Sequence, residues 1–304
     1  MGIEYDIQIT NGIVYNANKV NINLINSLPS YMNFIKGVRD DKKKMFYRGH
    51  SRVAYDLEPS LFRKNVWLDN ERKMYLELIS RCPFEFEKTN MHIEKLAKMQ
   101  HYGLPTRLLD VTMNPLVALF FACENDDLYN GEVVLICEDK EKIKYANSDT
   151  VALLASLPLF SKSDQEDFYS AAEDDTFLQN LHKKSIKKLV HEVRIERPGF
   201  ASEVITKDLR SIKICIPSGD NKRIYNQEGA FIVCGLVDEI YGDFEGSSIS
   251  KLRLAGKDKK REICIIENKS SIRGELDNVG INKARIYPEI DDVADYIKTH
   301  VEEM

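Results

Sequence analysis

The chain has 304 residues, a formal net charge of −5, 43 % hydrophobic and 30 % charged residues. That length can bury a sizeable core without disulfide or metal support. That charge argues against a broad sequence-independent DNA-binding surface, while leaving room for a local basic groove.

The opening "MGIEYDIQIT" has no basic region leading into an apolar core, so no secretory signal is expected. Residues 1–20 alternate weakly and read as a strand or an ordered arm. "INSLPSYMNFIKGVRD" (25–40) has apolar positions at helical spacing, and "KMFYRGHS" then reads as a short strand ending in a turn at Gly49. "NERKMYLELISRC" (70–82) and "MHIEKLAKMQHYG" (91–103) have the period of amphipathic helices. "TRLLDVT" has strand character, and "NPLVALFFACEN" follows as a buried helix capped by Asn114 with Pro115 at its first position. Its apolar run, the longest in the chain, is too short to span a bilayer, so no membrane partner is expected. "GEVVLICED" (131–139) reads as a buried strand. Residues 146–200 are polar with helical period and blocks of opposite charge, the pattern of a helical insertion or subdomain. From residue 211 strands return in "SIKICIP", "EGAFIVCG" and "EICII". Between the last two lies the polar loop "EGSSISKLRLAGKDKKR", and helices over 269–279 and 289–302 close the chain. The fold class is α+β, with a mixed central sheet assembled from both halves of the chain.

Six cysteines (Cys82, Cys123, Cys137, Cys215, Cys234, Cys264) stand singly with no CxxC pair. That disfavours a zinc ribbon and reads as buried, reduced thiols of a cytoplasmic protein. GxGxxG, GxxxxGK[ST], HExxH and GxSxG are all absent, so dinucleotide-binding doubly wound domains, P-loop NTPases, zincins and α/β-hydrolases lose support.

Three stretches place polar residues in apolar context. In "MFYRGHS", Arg48 offers a rigid fork of donors suited to phosphate or carboxylate, Gly49 permits close approach, and His50 follows; the alternative for Arg48 is a structural ion pair. "QHYGLPTRLLDVTMNP" (100–115) gathers His101, Tyr102, Arg107, Asp110 and Thr112. Thr112 ends a strand just before a buried helix, whereas Arg107 and Asp110 read equally as a buried salt bridge fixing the loop. In "NKRIYNQEGAFIVCG" (221–235), Gln227 and Glu228 enter an apolar strand, where a polar pair must be satisfied or functional; a strand end in solvent is the alternative.

Together with "LEPSLFR" (57–63), "KMQHYGLPTRLLDVTMNPLVALFFAC" (98–123) and "YPEIDDVADYI" (287–297), these stretches resemble the FRG domain, with Tyr47 where the family signature has Phe. The resemblance runs from about residue 30 to 300. It implies a single FRG domain over 1–304, with the helical insertion inside it. It also implies a setting similar to that of bacterial toxin and anti-phage defence effectors, with a neutralising antitoxin protein as an expected partner.

The order of the three stretches is also similar to that of ADP-ribosyltransferases. Those carry an aromatic-Arg or aromatic-His on a first strand, a strand ending in Ser or Thr before a helix, and a later strand beginning with Glu or a substitute. This implies an ADP-ribosyltransferase-like sheet and a catalytic set of Arg48, Thr112, and Gln227 or Glu228. NAD is then the substrate, no metal is needed, and the acceptor is a protein or a nucleic acid. In that reading Tyr47, Arg48, Gly49, His50, His101, Tyr102, Arg107 and Asp110 hold the dinucleotide. Arg48 clamps phosphate or ribose, Tyr47 or Tyr102 stacks on nicotinamide, and Glu228 meets the ribose or the developing cation. Adjacent residues on a strand face opposite ways, so only one of Gln227 and Glu228 faces the site. No Glu-x-Glu pair is present, which does not support arginine as the acceptor. The competing expectation is a nucleic-acid-binding or nuclease-like module. There Arg48, Arg107 and His101 meet phosphates and His101 with Asp110 forms a general acid/base pair. A third expectation is a sensor or scaffold whose polar motifs only fix the fold.

Overall fold

The computed structural model describes residues 6–9, 13–16, 19–173, 183–200, 206–218, 222–236 and 249–303. Strands β1 (Asp6–Ile9) and β2 (Ile13–Asn16) form an antiparallel hairpin. A second sheet holds β3 (Val20–Ile25), β4 (Lys43–His50), β5 (Leu108–Thr112), β6 (Gly131–Asp139), β7 (Lys144–Tyr145), β8 (Ile212–Ile216), β9 (Gly229–Cys234) and β10 (Arg261–Ile266). Its order is β3-β10-β6-β4-β5-β9-β8-β7, with parallel pairs only at the two edges, β3 with β10 and β7 with β8. The sheet is mixed and draws on both halves of the chain, as the sequence led us to expect.

Both faces of the sheet are covered. Tyr47, Val133, Leu135, Cys264 and Ile266 pack beneath the helices Leu28–Val38, Pro115–Cys123 and Lys269–Asn278. On the same face, Leu108, Phe231 and Val233 pack beneath His92–His101, Asp149–Ser156 and Lys184–Glu196. The 146–200 stretch is thus mostly helical over its described residues and shares one core with the sheet; part of it, 174–182, lies outside the described residues. Phe46, Leu109, Val111, Val134, Ile136 and Ile232 fill the opposite face. No helix among the described residues is long and apolar enough to cross a membrane. Of the six cysteines, Cys82 is exposed and Cys137 half-buried, while the other four are buried.

Local chemistry sets the helix that matters most to the site. Asn114 caps Pro115–Cys123 by accepting from the Leu116 N–H at 2.9 Å, and Tyr31 donates its hydroxyl to the Pro115 carbonyl at 2.9 Å. This helix crosses the sheet at two glycines. A Cβ at Gly49 would stand 2.1 Å from the Ala118 carbonyl oxygen, and one at Gly131 would stand 2.4 Å from that of Ala122. Gly49 is therefore not a turn residue, contrary to expectation. It sits inside β4, opposite Val133, and its missing side chain is the space the helix occupies. Further departures are β3, an unanticipated edge strand, and residues 253–255, where bridges from Arg253 to Ile136 and from Ala255 to Arg261 order part of the expected loop. The start of that loop, 245–248, and residues 1–5, 10–12 and 17–18 of the expected arm lie outside the described residues.

Candidate functional site

The centre of the sheet parts along one line. β4 and β5 are joined by a single rung, Tyr47 opposite Thr112, after which β4 continues along β6 and β5 along β9. Beyond that rung the Asp110 carbonyl has lost its ladder partner, and the Arg48 guanidinium supplies the missing donor through Nη1 at 2.7 Å. Arg48 Nε donates to His50 Nε2 at 3.1 Å. Because that arginine nitrogen can only donate, His50 Nε2 carries the lone pair and a neutral His50 holds its proton on Nδ1. Burial, then the Arg48, Arg253 and Arg63 charges, holds His50 well below the ordinary histidine value. Burial also lowers Arg48 from its ordinary value, against the pull of the Asp110 charge. Among the described residues, no carboxylate lies within ion-pair distance of Arg48.

A cleft of about 250 Å³ opens at this parting, between the helices His92–His101 and Pro115–Cys123. Its polar lining is Arg48, Asp110, Gln100, His101, Arg223 and Gln227, with Thr112 at its end. A short relay positions the acid: Thr106 Oγ1 donates to Gln100 Oε1, and Gln100 Nε2 donates to Asp110 Oδ2, both at 2.5 Å. His101 Nδ1 lies 3.4 Å from Arg223 Nη1, and its Nε2 lies 3.7 Å from Glu289 Oε1. Arg223 also covers the Tyr287 ring at 4.7 Å. Across Ala97, His101, Ile224 and Phe231 the cleft adjoins a second depression of about 380 Å³, with Tyr102 on its wall. Among the described residues no group of His, Cys, Asp and Glu could hold a metal ion.

Tyr47, Arg48, Gly49, His101, Asp110, Thr112 and Gln227 thus meet at one cleft, whereas four other candidates stand elsewhere. Arg107 is 1 % exposed and spent on structure: Nε and Nη2 donate to the two Glu71 oxygens at 2.8 and 2.5 Å, and Nη1 to the Cys234 carbonyl at 3.0 Å. His50 lies behind Arg48, 4 % exposed, and orients that side chain. Tyr102 is 62 % exposed and belongs to the adjoining depression. Glu228 is exposed, has φ of +45°, and accepts from Asn114 Nδ2 at 2.8 Å, so it ties the turn to the helix cap.

The strand-face argument for Gln227 and Glu228 fails for a simple reason. β9 starts at Gly229, so both precede it in a turn, and the turn chooses Gln227 for the cleft. Even there Gln227 Nε2 donates to the Ile286 carbonyl at 3.2 Å, and Thr112 Oγ1 donates to the Gln227 carbonyl at 2.6 Å. The expected His101–Asp110 acid/base pair is not formed either, since each bonds a different partner. Sequence reading passed over Gln100 and Arg223. Both lie inside quoted stretches, and the available signal was helical spacing: Ala97, Gln100 and His101 share one face three and four residues apart.

Comparison with known proteins agrees with part of this layout. No curated protein and no solved structure matches the chain. Residues 43–130 match the model of the FRG domain. The span begins at β4 and carries Arg48, Gln100, His101, Asp110 and Thr112 of the cleft, while Arg223 and Gln227 come from beyond it. Over residues 43–130, then, this chain carries an FRG domain.

Proposed function

We propose that the cleft binds the nicotinamide end of NAD and transfers ADP-ribose from it, the reading of an ADP-ribosyltransferase-like effector of a toxin or defence system. The observation that carries it is the convergence of Arg48, Thr112 and Gln227, from β4, β5 and the turn into β9, on one cleft at the parting of the sheet. Those strands are neighbours, in the arrangement that an aromatic-Arg strand, a Thr-ended strand and a third polar position require.

Size supports the assignment of the two ends. Sites for drug-sized ligands run about 300–1,000 Å³. The cleft, at about 250 Å³, suits nicotinamide with its ribose, and the adjoining depression of about 380 Å³ suits the adenosine end. In the reaction the C1′–N bond breaks with its electron pair leaving on nicotinamide, and the acceptor's lone pair closes on C1′. Asp110 is the cleft's carboxylate. In this reading its charge steadies the developing oxocarbenium ion and it takes the acceptor's proton. Arg48, held by the Asp110 carbonyl and His50, is pre-aimed for phosphate or ribose.

Nicotinamide release from NAD by the full chain tests this. Release is expected from the wild type, at least a hundredfold lower in Asp110→Asn and in Arg48→Ala, and unchanged in Leu128→Ala, an exposed site that lines neither cavity. No release from wild type, with lysate supplying acceptors, ends the NAD reading.

A further inference from the structure

On the other side of Tyr47 lies a depression of about 790 Å³ that the cleft does not use. Tyr47 lines both, and the β5-to-helix turn divides them, with Thr112 facing the cleft and Met113 and Pro115 facing the depression. Its lining carries five cations, Lys36, Arg39, Lys43, Lys44 and Lys140, against two carboxylates, Asp40 and Asp41, a net of +3 on a chain whose net charge is −5. The carboxylates are already engaged. Asp41 pairs with Arg39 at 3.1 Å, its backbone carbonyl accepts from Lys140, and Asp40 accepts from the Lys42 N–H at 3.0 Å. Among the described residues, no carboxylate lies within ion-pair distance of Lys36, Lys43 or Lys44. The apolar part of the lining is soft, with Met32, Met45 and Met113 beside Ile35, Tyr47 and Pro115, and Met32 is exposed.

We propose that this depression docks a single-stranded nucleic acid beside the cleft. Cations without carboxylate partners around a concavity meet phosphates, and thioether side chains in its lining take the flat face of a base. A duplex keeps its bases stacked inside and would leave those methionines unused, which favours an unpaired strand. Docking stands by itself; that the docked strand is the acceptor of ADP-ribose rests on the reading above.

The probe is one labelled strand of about 16 nucleotides, made as RNA and as DNA, titrated into the full chain at low salt. The variant Lys36→Gln/Lys43→Gln/Lys44→Gln alters exposed or half-exposed side chains, and Lys184→Gln/Lys187→Gln/Lys188→Gln removes equal charge from a remote helix. We expect at least tenfold weaker binding in the first and no change in the second. In the first, the slope of log affinity against log salt should also be shallower by about 2, from about 0.7 per phosphate contact in single strands. The two affinities of the wild type assign RNA or DNA. Wild type that binds neither strand, a first variant that binds like wild type, or a second that loses as much each overturns the docking. With labelled NAD, label on the strand in wild type but not in the first variant supports the acceptor role. Intact docking without label overturns that role alone, and nicotinamide release without nucleic acid separately reports the NAD reading.

Discussion

Two arginines, Arg48 and Arg107, look alike in the sequence and differ completely in surroundings. Arg48 lies within an apolar strand and Arg107 directly before one. Arg107 meets a carboxylate in bidentate geometry, almost fully buried at the base of a separate depression of about 600 Å³, with Gln165 Nε2 also donating to Glu71 Oε2 at 3.2 Å. Arg48 meets a backbone carbonyl and a neutral imidazole at the edge of a cleft, and among the described residues no carboxylate in contact matches its charge. A guanidinium whose donors are consumed in a fork holds a fold together. One anchored by neutral acceptors keeps its charge for something else.

The largest effect that would test this contrast is on stability. Arg107→Ala leaves Glu71 buried and unpaired and is expected to lower the unfolding free energy by about 3–5 kcal/mol, read from urea midpoints. Arg48→Ala gives up two guanidinium hydrogen bonds to neutral acceptors and strands no buried charge, for which a smaller loss of about 1.5–3 kcal/mol is expected in the same experiment. Equal losses would erase the distinction.

Gly49→Ala comes next. Its methyl group would enter the backbone of the Pro115–Cys123 helix, and overpacking of this kind costs about 1–3 kcal/mol. An unaltered melting midpoint would mean that the helix does not rest on β4.

Away from the cleft, burial lowers His92 to about 4, with the Lys95 charge adding to it. The folded state therefore holds His92 neutral while the unfolded chain takes up a proton below about 6.5. Its contribution is fully present above that value and declines as pH falls toward 4, by up to about 1.4 kcal/mol per pH unit. Unfolding titrations at pH 7 and pH 5 should show a smaller difference in His92→Gln than in wild type.

The smallest effect is local to the cleft. Removing the Arg48 charge relieves one of the causes that depress His50. The His50 imidazole resonance should titrate at higher pH in Arg48→Ala and stay put in Arg107→Ala; the reverse result would exchange the roles of the two arginines.

Much of the scaffold was legible because its signals are local. The Asn114-Pro115 cap, the all-round apolar helix behind it and the runs at 131–139 and 229–234 announce themselves by composition and period. The site was half legible for the opposite reason. Arg48, Asp110, Thr112 and Gln227 are conspicuous polar residues in apolar stretches. Arg107 is just as conspicuous, and only its meeting with Glu71, 36 residues earlier, removes it from the cleft. Glu228 misled because a strand end and the turn before it look the same until the backbone at that residue turns to positive φ.

The single rung between β4 and β5 has a consequence for how the molecule breathes. Four strands (β3, β10, β6 and β4) lie on one side of it and four (β5, β9, β8 and β7) on the other, so continuous ladder protection stops at Tyr47–Thr112. Amide hydrogens of the two halves are expected to exchange as two cooperative groups, with the seam itself opening at the lowest free energy. A ligand bridging Arg48 and Asp110 would slow exchange on both sides at once, making the seam an elastic joint that the ligand closes.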